Sequence, residues 1–185
     1  MLPASSPRAS VAGPFEPVVA RAVLSRAGGI GLALLAASCM RGEVEKKVAF
    51  DGKDHAAWIA KGTATIEGEG FLRRPNGSLA RCSGGIVYLV PATAYFREWV
   101  EVYRSGARIA NARDLNEGHA KAIRKTQCDM LGRFLFPELP GGKWIIVTRV
   151  TFDGPGWNDD STLVTEIETK QGEIAKAILS NPNRI

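Results

Sequence analysis

From residue 62 onward the chain alternates apolar and polar positions in short runs closed by turn residues, the pattern of β-strands. Ala64, Ile66 and Gly68 share one face of the run 62–74, Thr63, Thr65 and Glu67 share the other, and Pro75-Asn76-Gly77 turns the chain back. The β-branched run Gly85-Ile-Val-Tyr-Leu-Val90 reads as a buried strand stopped at Pro91. Residues 123–128 predict another strand and Asp129-Met-Leu-Gly132 a turn; Arg133-Phe-Leu-Phe-Pro137 then places Phe134 and Phe136 on one face. Leu139-Pro-Gly-Gly142 leads into a long apolar strand over 143–152, and two last strands, 163–169 and 173–179, flank Gln171-Gly172. This succession predicts a mainly β fold, a seven-stranded antiparallel β-sandwich.

One stretch changes period. Tyr95, Trp99 and Tyr103 recur every four residues with Phe96 and Val100 beside them, which makes one stripe of a helix. Thr93 stands where an N-cap belongs and Gly106 lies just past the end. A short helical insert near 93–104 is expected, its stripe packed on the sandwich, with Trp99 also a candidate for stacking against a ligand. Residues 104–125 read as a long basic loop, carrying Arg104, Arg108, Arg113, Lys121, Arg124 and Lys125 against Asp114 and Glu117. A solvated loop is its default reading, and a contact with anionic headgroups or cell-wall polymer is the sharper one. Upstream, Val48, Phe50, Ala56, Ala57, Trp58 and Ile59 form one apolar cluster in a charged segment, expected to pack against the domain behind a short tether.

Residues 27–37 form an apolar run too short to span a bilayer, which takes ~20 residues. The run has the length of a signal-peptide core, and Arg21 and Arg26 precede it. It ends in Ala36-Ala37-Ser38-Cys39, which resembles the lipobox of a bacterial lipoprotein, with Ala36 in the place usually held by Leu. The resemblance implies a signal peptide over 1–38, cleavage before Cys39, acylation of Cys39 and a tether and N-terminal segment over 39–61. It further implies a lipid-anchored protein of the cell envelope. Because Met40 is not Asp, the outer membrane is the expected address, facing the periplasm or the cell surface. Without residues 1–38 the 24 basic and 19 acidic residues fall to 21 and 18 and the net charge drops from +5 to +3, too mild to suggest a nucleic-acid partner. Cys82 and Cys128 then remain, either as a disulfide, which an oxidising compartment favours, or as two buried thiols. No CxxC or neighbouring His completes a zinc site.

Two stretches carry a family resemblance. Gly62-Thr-Ala-Thr-Ile-Glu-Gly-Glu-Gly-Phe-Leu-Arg73 with Cys82 and Val87-Tyr-Leu-Val-Pro-Ala-Thr93 resembles the opening of a carboxypeptidase regulatory-like domain. Thr126-Gln-Cys-Asp-Met-Leu-Gly-Arg-Phe-Leu-Phe136 followed by Leu139-Pro-Gly-Gly142 is similar to its second half. The resemblance covers about 62–152, with the domain extended over 62–180. It implies a transthyretin-like (prealbumin-like) sandwich, usually non-catalytic, in which Cys82 and Cys128 are plausible neighbours for a disulfide.

Little in the chain points to catalysis. An enzyme lineage on the related fold hydrolyses 5-hydroxyisourate and needs a terminal Tyr-Arg-Gly-Ser, whereas this chain ends Asn181-Pro-Asn-Arg-Ile185. His55 and His119 are far apart in sequence, and a loop histidine such as His119 is ordinarily solvated. Asp153, Asp159 and Asp160 match no EF-hand spacing and read as an acidic turn. Trp157 beside Asp159 is a candidate saccharide contact, because sugars stack on aromatic faces and carboxylates accept their hydroxyls. The expectation is a non-enzymatic binding or structural module with no cofactor and no metal. Its expected partners are the membrane, through the N-terminal lipid, and an envelope protein or glycan. A carbohydrate-binding module is the alternative, and a transthyretin-like hydrolase stands third.

Overall fold

The computed structural model describes residues 42–110, 117–154 and 157–185, less the side chains of 117, 152–154 and 157–159. The described chain opens with β1 (Glu43–Val44) and α1 (Gly52–Ile59), then β2 (Ala64–Arg73), β3 (Leu79–Arg81) and β4 (Ile86–Pro91). Helix α2 (Ala94–Arg104) interrupts the strands and is followed by β5 (Arg108–Ile109) and α3 (Glu117–Ala122). Then come β6 (Arg124–Gln127), β7 (Arg133–Leu139), β8 (Gly142–Gly154), β9 (Trp157–Thr169) and β10 (Ile174–Leu179), closed by a 3₁₀ turn at Asn181–Asn183. One four-stranded sheet joins β2 to β3, β7 and β10, and the other runs β6-β4-β8-β9. Face to face, they make a β-sandwich.

Alternation decides which side chains meet between the sheets. Ala64, Ile66 and Leu72 of β2 are buried while Glu67 and Arg73 face solvent. Phe134, Phe136 and Leu139 of β7 join them, opposite Val87 and Leu89 of β4, Trp144, Ile146 and Val150 of β8 and Leu163 of β9. Burying that apolar surface, at roughly 25 cal/mol per Å², is the main favourable contribution to folding. Pro137 and Glu138 bulge out where the β2–β7 register slips, which returns Leu139 to the core face. The β6–β7 turn is tied by Asp129, whose Oδ1 accepts the N–H groups of Leu131 and Arg133, both at 2.8 Å, while Gly132 takes φ 78°. Cys82 and Cys128 form a disulfide across 46 residues, linking the exit of β3 to the end of β6 and so one sheet to the other. Closing a loop of that size is worth about 4 kcal/mol in the chain-entropy model.

The second sheet is apolar on its outer face as well. Ile145 and Val147 point away from the sandwich core yet are 4 % exposed, as is Val164 at 6 %. Helix α2 covers them. Its buried face carries Tyr95, Phe96, Trp99, Val100 and Val102. Arg97 fixes the helix to β9 through two bonds to Glu166, 2.6 and 2.7 Å, and Tyr103 meets Thr162 at 3.3 Å. Thr93 occupies the N-cap position, but its hydroxyl lies 2.9 Å from His55 Nε2 and does not cap the helix. Gly106, at φ 73°, lies just past the helix end.

The sandwich and the helical insert follow the sequence pattern; the strand count and one pairing do not. The two four-stranded sheets hold one strand more than the seven expected, because Leu79–Arg81, too short to show alternation, pairs back on β2. The arrangement is not wholly antiparallel either. At Gln171-Gly172 the chain crosses from the second sheet to the first, so β10 lies parallel to β2, from Ile174 opposite Thr65 to Leu179 opposite Gly70. The expected long loop over 104–125 contains β5 and α3, and β5 pairs in parallel with β1. Order in the N-terminal segment therefore begins by Glu43, earlier than a tether would require.

Gly68 supplies a direct test of the core. Its missing Cβ leaves the space taken by the Phe134 ring, so Gly68→Ala forces the phenyl group aside. We expect this substitution to cost about 1–3 kcal/mol, read as a lower urea midpoint. An unchanged midpoint would mean that Phe134 does not cover Gly68.

Candidate functional site

A groove of about 710 Å³ opens where the end of β2 meets the residues after β10. Phe71, Arg73 and Arg74 approach it from β2 and its turn; Ser180, Asn181 and Arg184 approach it from the C-terminal segment. The two sides are locked together by the Asn181 side chain. Its Oδ1 accepts the Arg73 N–H at 2.8 Å and its Nδ2 donates to the Arg73 carbonyl at 2.9 Å. The C-terminal turn is itself fixed, with Ser180 and Asn183 forming a reciprocal capping box and Arg184 bridging to Leu163. A second groove of about 550 Å³ adjoins the first, sharing Pro182 and Arg184 and adding Arg104 and Glu166. The larger groove thus combines one half-buried aromatic ring with several guanidinium donors and an amide that both donates and accepts. Among the described residues its lining holds no carboxylate, thiol or imidazole side chain.

The residues singled out by sequence fall elsewhere. Trp99, a candidate ligand contact, is 3 % exposed and lies 6.5 Å from the Tyr95 ring and 5.5 Å from that of His119. No ligand reaches it in this conformation, because α3 and the N-terminal segment, through His119 and Lys46, close over it. Trp157 and Asp159 belong to the start of β9, and their side chains lie outside the described residues, as does the whole of Cys39. The groove itself was missed because its halves are 108 residues apart, as the Arg73–Asn181 bonds record. The available signals were Arg73-Arg74 ahead of a Pro-Asn-Gly turn and the polar Ser180-Asn-Pro-Asn-Arg184 tail.

The histidines correct a second expectation. His119 is not solvated but 4 % exposed, and His55 is 1 % exposed. Both pack around Phe50 and Phe96: His55 stacks on Phe50 at 4.4 Å, and His119 lies 5.3 Å from Phe96. His55 Nδ1 donates to the Asp51 carbonyl at 2.6 Å, which ties the start of α1 to α2 through Thr93. Lys46 closes the cluster, its ammonium 3.7 Å above the Tyr95 ring and 3.2 Å from Glu98 Oε2. Glu98 also accepts the N–H groups of Lys47 (2.7 Å) and Val48 (2.9 Å). Partial burial pushes the Glu98 carboxyl up, but those two N–H groups and Lys46 outweigh it and hold it below the usual range. Burial lowers the His119 pKa to about 4, helped by the neighbouring Lys46 and His55. This cluster fastens the N-terminal segment to the helical layer. Among the described residues no group of three or more His, Cys, Asp or Glu side chains could hold a metal ion, and no helix is long and apolar enough to cross a membrane.

The architecture is that of a β-sandwich with a helical cover on one sheet. No family model matches the chain, and no curated protein does. Among solved structures it is similar to the crystal structure of a "putative carbohydrate binding protein" from Pseudomonas aeruginosa, with a TM-score of 0.56 and 22% identity, over 71% of this chain and 97% of that one. At that identity the likeness is one of fold.

His119 makes stability depend on pH in a definite direction. Its folded pKa lies below the ordinary value of 6.5, so its contribution is complete above that pH and is lost as pH falls toward 4. Between pH 6.5 and 5 we expect the native protein to lose about 2 kcal/mol from this group, and His119→Leu to lack that part of the slope. Parallel pH profiles for the two proteins would show that His119 is not held neutral by its surroundings.

Proposed function

We propose that this chain is a non-catalytic glycan-binding module of the cell envelope, exported by residues 1–38 and anchored through acylated Cys39. The observation that carries the reading is the groove beside β2, where the Phe71 ring is edged by arginine and asparagine groups held on a rigid sandwich. Saccharide recognition asks for this mixture: an apolar face for the sugar's C–H groups and fixed polar groups for its hydroxyls. Support also comes from the fold shared with the Pseudomonas aeruginosa protein. The Asp129-Met-Leu-Gly132 and Leu139-Pro-Gly-Gly142 turns, with the Cys82–Cys128 disulfide, support placing it among carboxypeptidase regulatory-like domains. The disulfide further suits an oxidising compartment, in keeping with export.

A glycan array probed with the full chain in detergent tests the binding role. We expect retention on a subset of glycans and an approximately tenfold weaker signal for Phe71→Ala, equivalent to ~1.4 kcal/mol, at an unchanged unfolding midpoint. Absence of retention on every glycan would overturn the reading. The anchor has its own measurement: Cys39→Ala should move the protein from the membrane to the soluble fraction of the producing cells, and continued membrane association would refute acylation at Cys39.

A further inference from the structure

We infer that the outer edge of β10 is a docking site for an extended peptide strand, one that sets an acidic residue against Lys176 and apolar residues against Ile174 and Ile178. β10 ends the first sheet: it pairs with β2 on one side, and no described strand pairs with its other side. The register fixes which backbone groups that leaves. Thr65 N–H donates to the Glu173 carbonyl at 2.9 Å, and along a parallel pair the bonding residues then alternate. Ala175, Ala177 and Leu179 therefore bond to β2, while the N–H and C=O groups of Ile174, Lys176 and Ile178 point outward. Among the described residues these outward groups have no backbone partner. An edge of that kind is a template for a further strand.

The side chains of the same three residues point the same way. Ile174 and Ile178 are 60 % and 65 % exposed, although Ala175, Ala177 and Leu179 on the opposite face are buried in the core. β10 is thus apolar on both faces. The second sheet hides its outer Ile145, Val147 and Val164, whereas the first sheet leaves these two isoleucines in water. A strand laid along β10 supplies the missing ladder and shields both side chains, since directly opposed residues stand about 5 Å apart. Lys176 lies between the isoleucines and decides the partner's charge. An edge lysine discourages pairing with neutral or basic strands, and an acidic residue opposite turns the same position into a favourable pair. Among the described residues Glu67, its neighbour on β2, makes no ion pair with it. A second copy of this chain is a poor occupant. Antiparallel pairing that sets Ile174 against Ile178 of the copy brings the two Lys176 ammonium groups face to face.

Amide hydrogen exchange, read residue by residue on the full chain in detergent, tests this with the peptide Thr-Val-Thr-Glu-Thr-Val-Thr as probe. In the free protein the amides of Ile174, Lys176 and Ile178 should exchange freely while those of Ala175 and Ala177 are protected. The peptide should protect the first three. The same peptide with Lys in place of Glu should bind about tenfold more weakly, a difference that raised salt reduces. Lys176→Glu should reverse the preference between the two peptides at an unchanged unfolding midpoint, which a general loss of structure would not do. Equal binding of both peptides, or a preference that Lys176→Glu leaves as it was, overturns the inference. So does protection of the outward amides without peptide that is lost on dilution, since a second copy would then be the occupant. Absence of peptide-dependent protection at Ile174, Lys176 and Ile178 refutes it as well, and leaves the glycan reading of the groove untouched.

Discussion

Strand β8 has two apolar faces, and the rest of the structure answers to that. Trp144, Ile146 and Val150 look into the sandwich, and Ile145 and Val147 look out of it, all nearly sealed from water. A sheet with one solvated face alternates apolar and polar residues, while a strand covered on both sides reads as a continuous apolar run. The first sheet covers one side of β8. Something else must cover the other, and α2 lies over it, bonded to β9 through Arg97–Glu166 and Tyr103–Thr162 and to β8 through Arg149–Tyr103. The helix is thus a third layer that the composition of β8 makes obligatory.

A helix so placed has ends and flanks of its own to satisfy, which explains the N-terminal segment. Glu98, on the solvent side of α2, gathers Lys46 and the backbone of Lys47 and Val48. Phe50 and the two histidines then fill the space between α1, α2 and α3. Arg124 finishes α1 by donating to the carbonyls of Trp58 and Ala60, at 3.0 and 2.8 Å, while Trp58 meets Trp144 edge-on at 4.9 Å. The residues ahead of the sandwich belong to the folded body from Gly42 onward. On the opposite margin, the groove owes its rigidity to the same economy of bonding, one asparagine joining the ends of β2 and β10.

Local patterns were legible in the sequence and distant ones were not. The stripe Tyr95, Trp99, Tyr103 announced α2, and the alternation at Ala64 and Ile66 announced β2, because each period is written in adjacent residues. Pairing partners are another matter. Nothing in Ile174-Ala-Lys-Ala-Ile-Leu179 says that it will lie parallel to β2, and three residues, Leu79–Arg81, are too few to display a strand's period. The histidines illustrate the same limit: a charged neighbourhood in sequence suggested solvent, while tertiary packing placed His119 among Phe50, Tyr95, Phe96 and Trp99. The groove needed both ends of the domain and could not be seen from either.

The parallel pairing of β10 with β2 bears on when the domain can form. One edge of β2 waits for residues 174–179, about a hundred residues further along the chain. Contacts of such separation close slowly, because the entropy of ordering the intervening chain must be met before the pairing rewards it. Until residues 174–179 are in place the first sheet is incomplete and one edge of its central strand is open. The strand that completes the sheet also delivers Asn181 and Arg184, so the groove comes into being at the same moment as the fold.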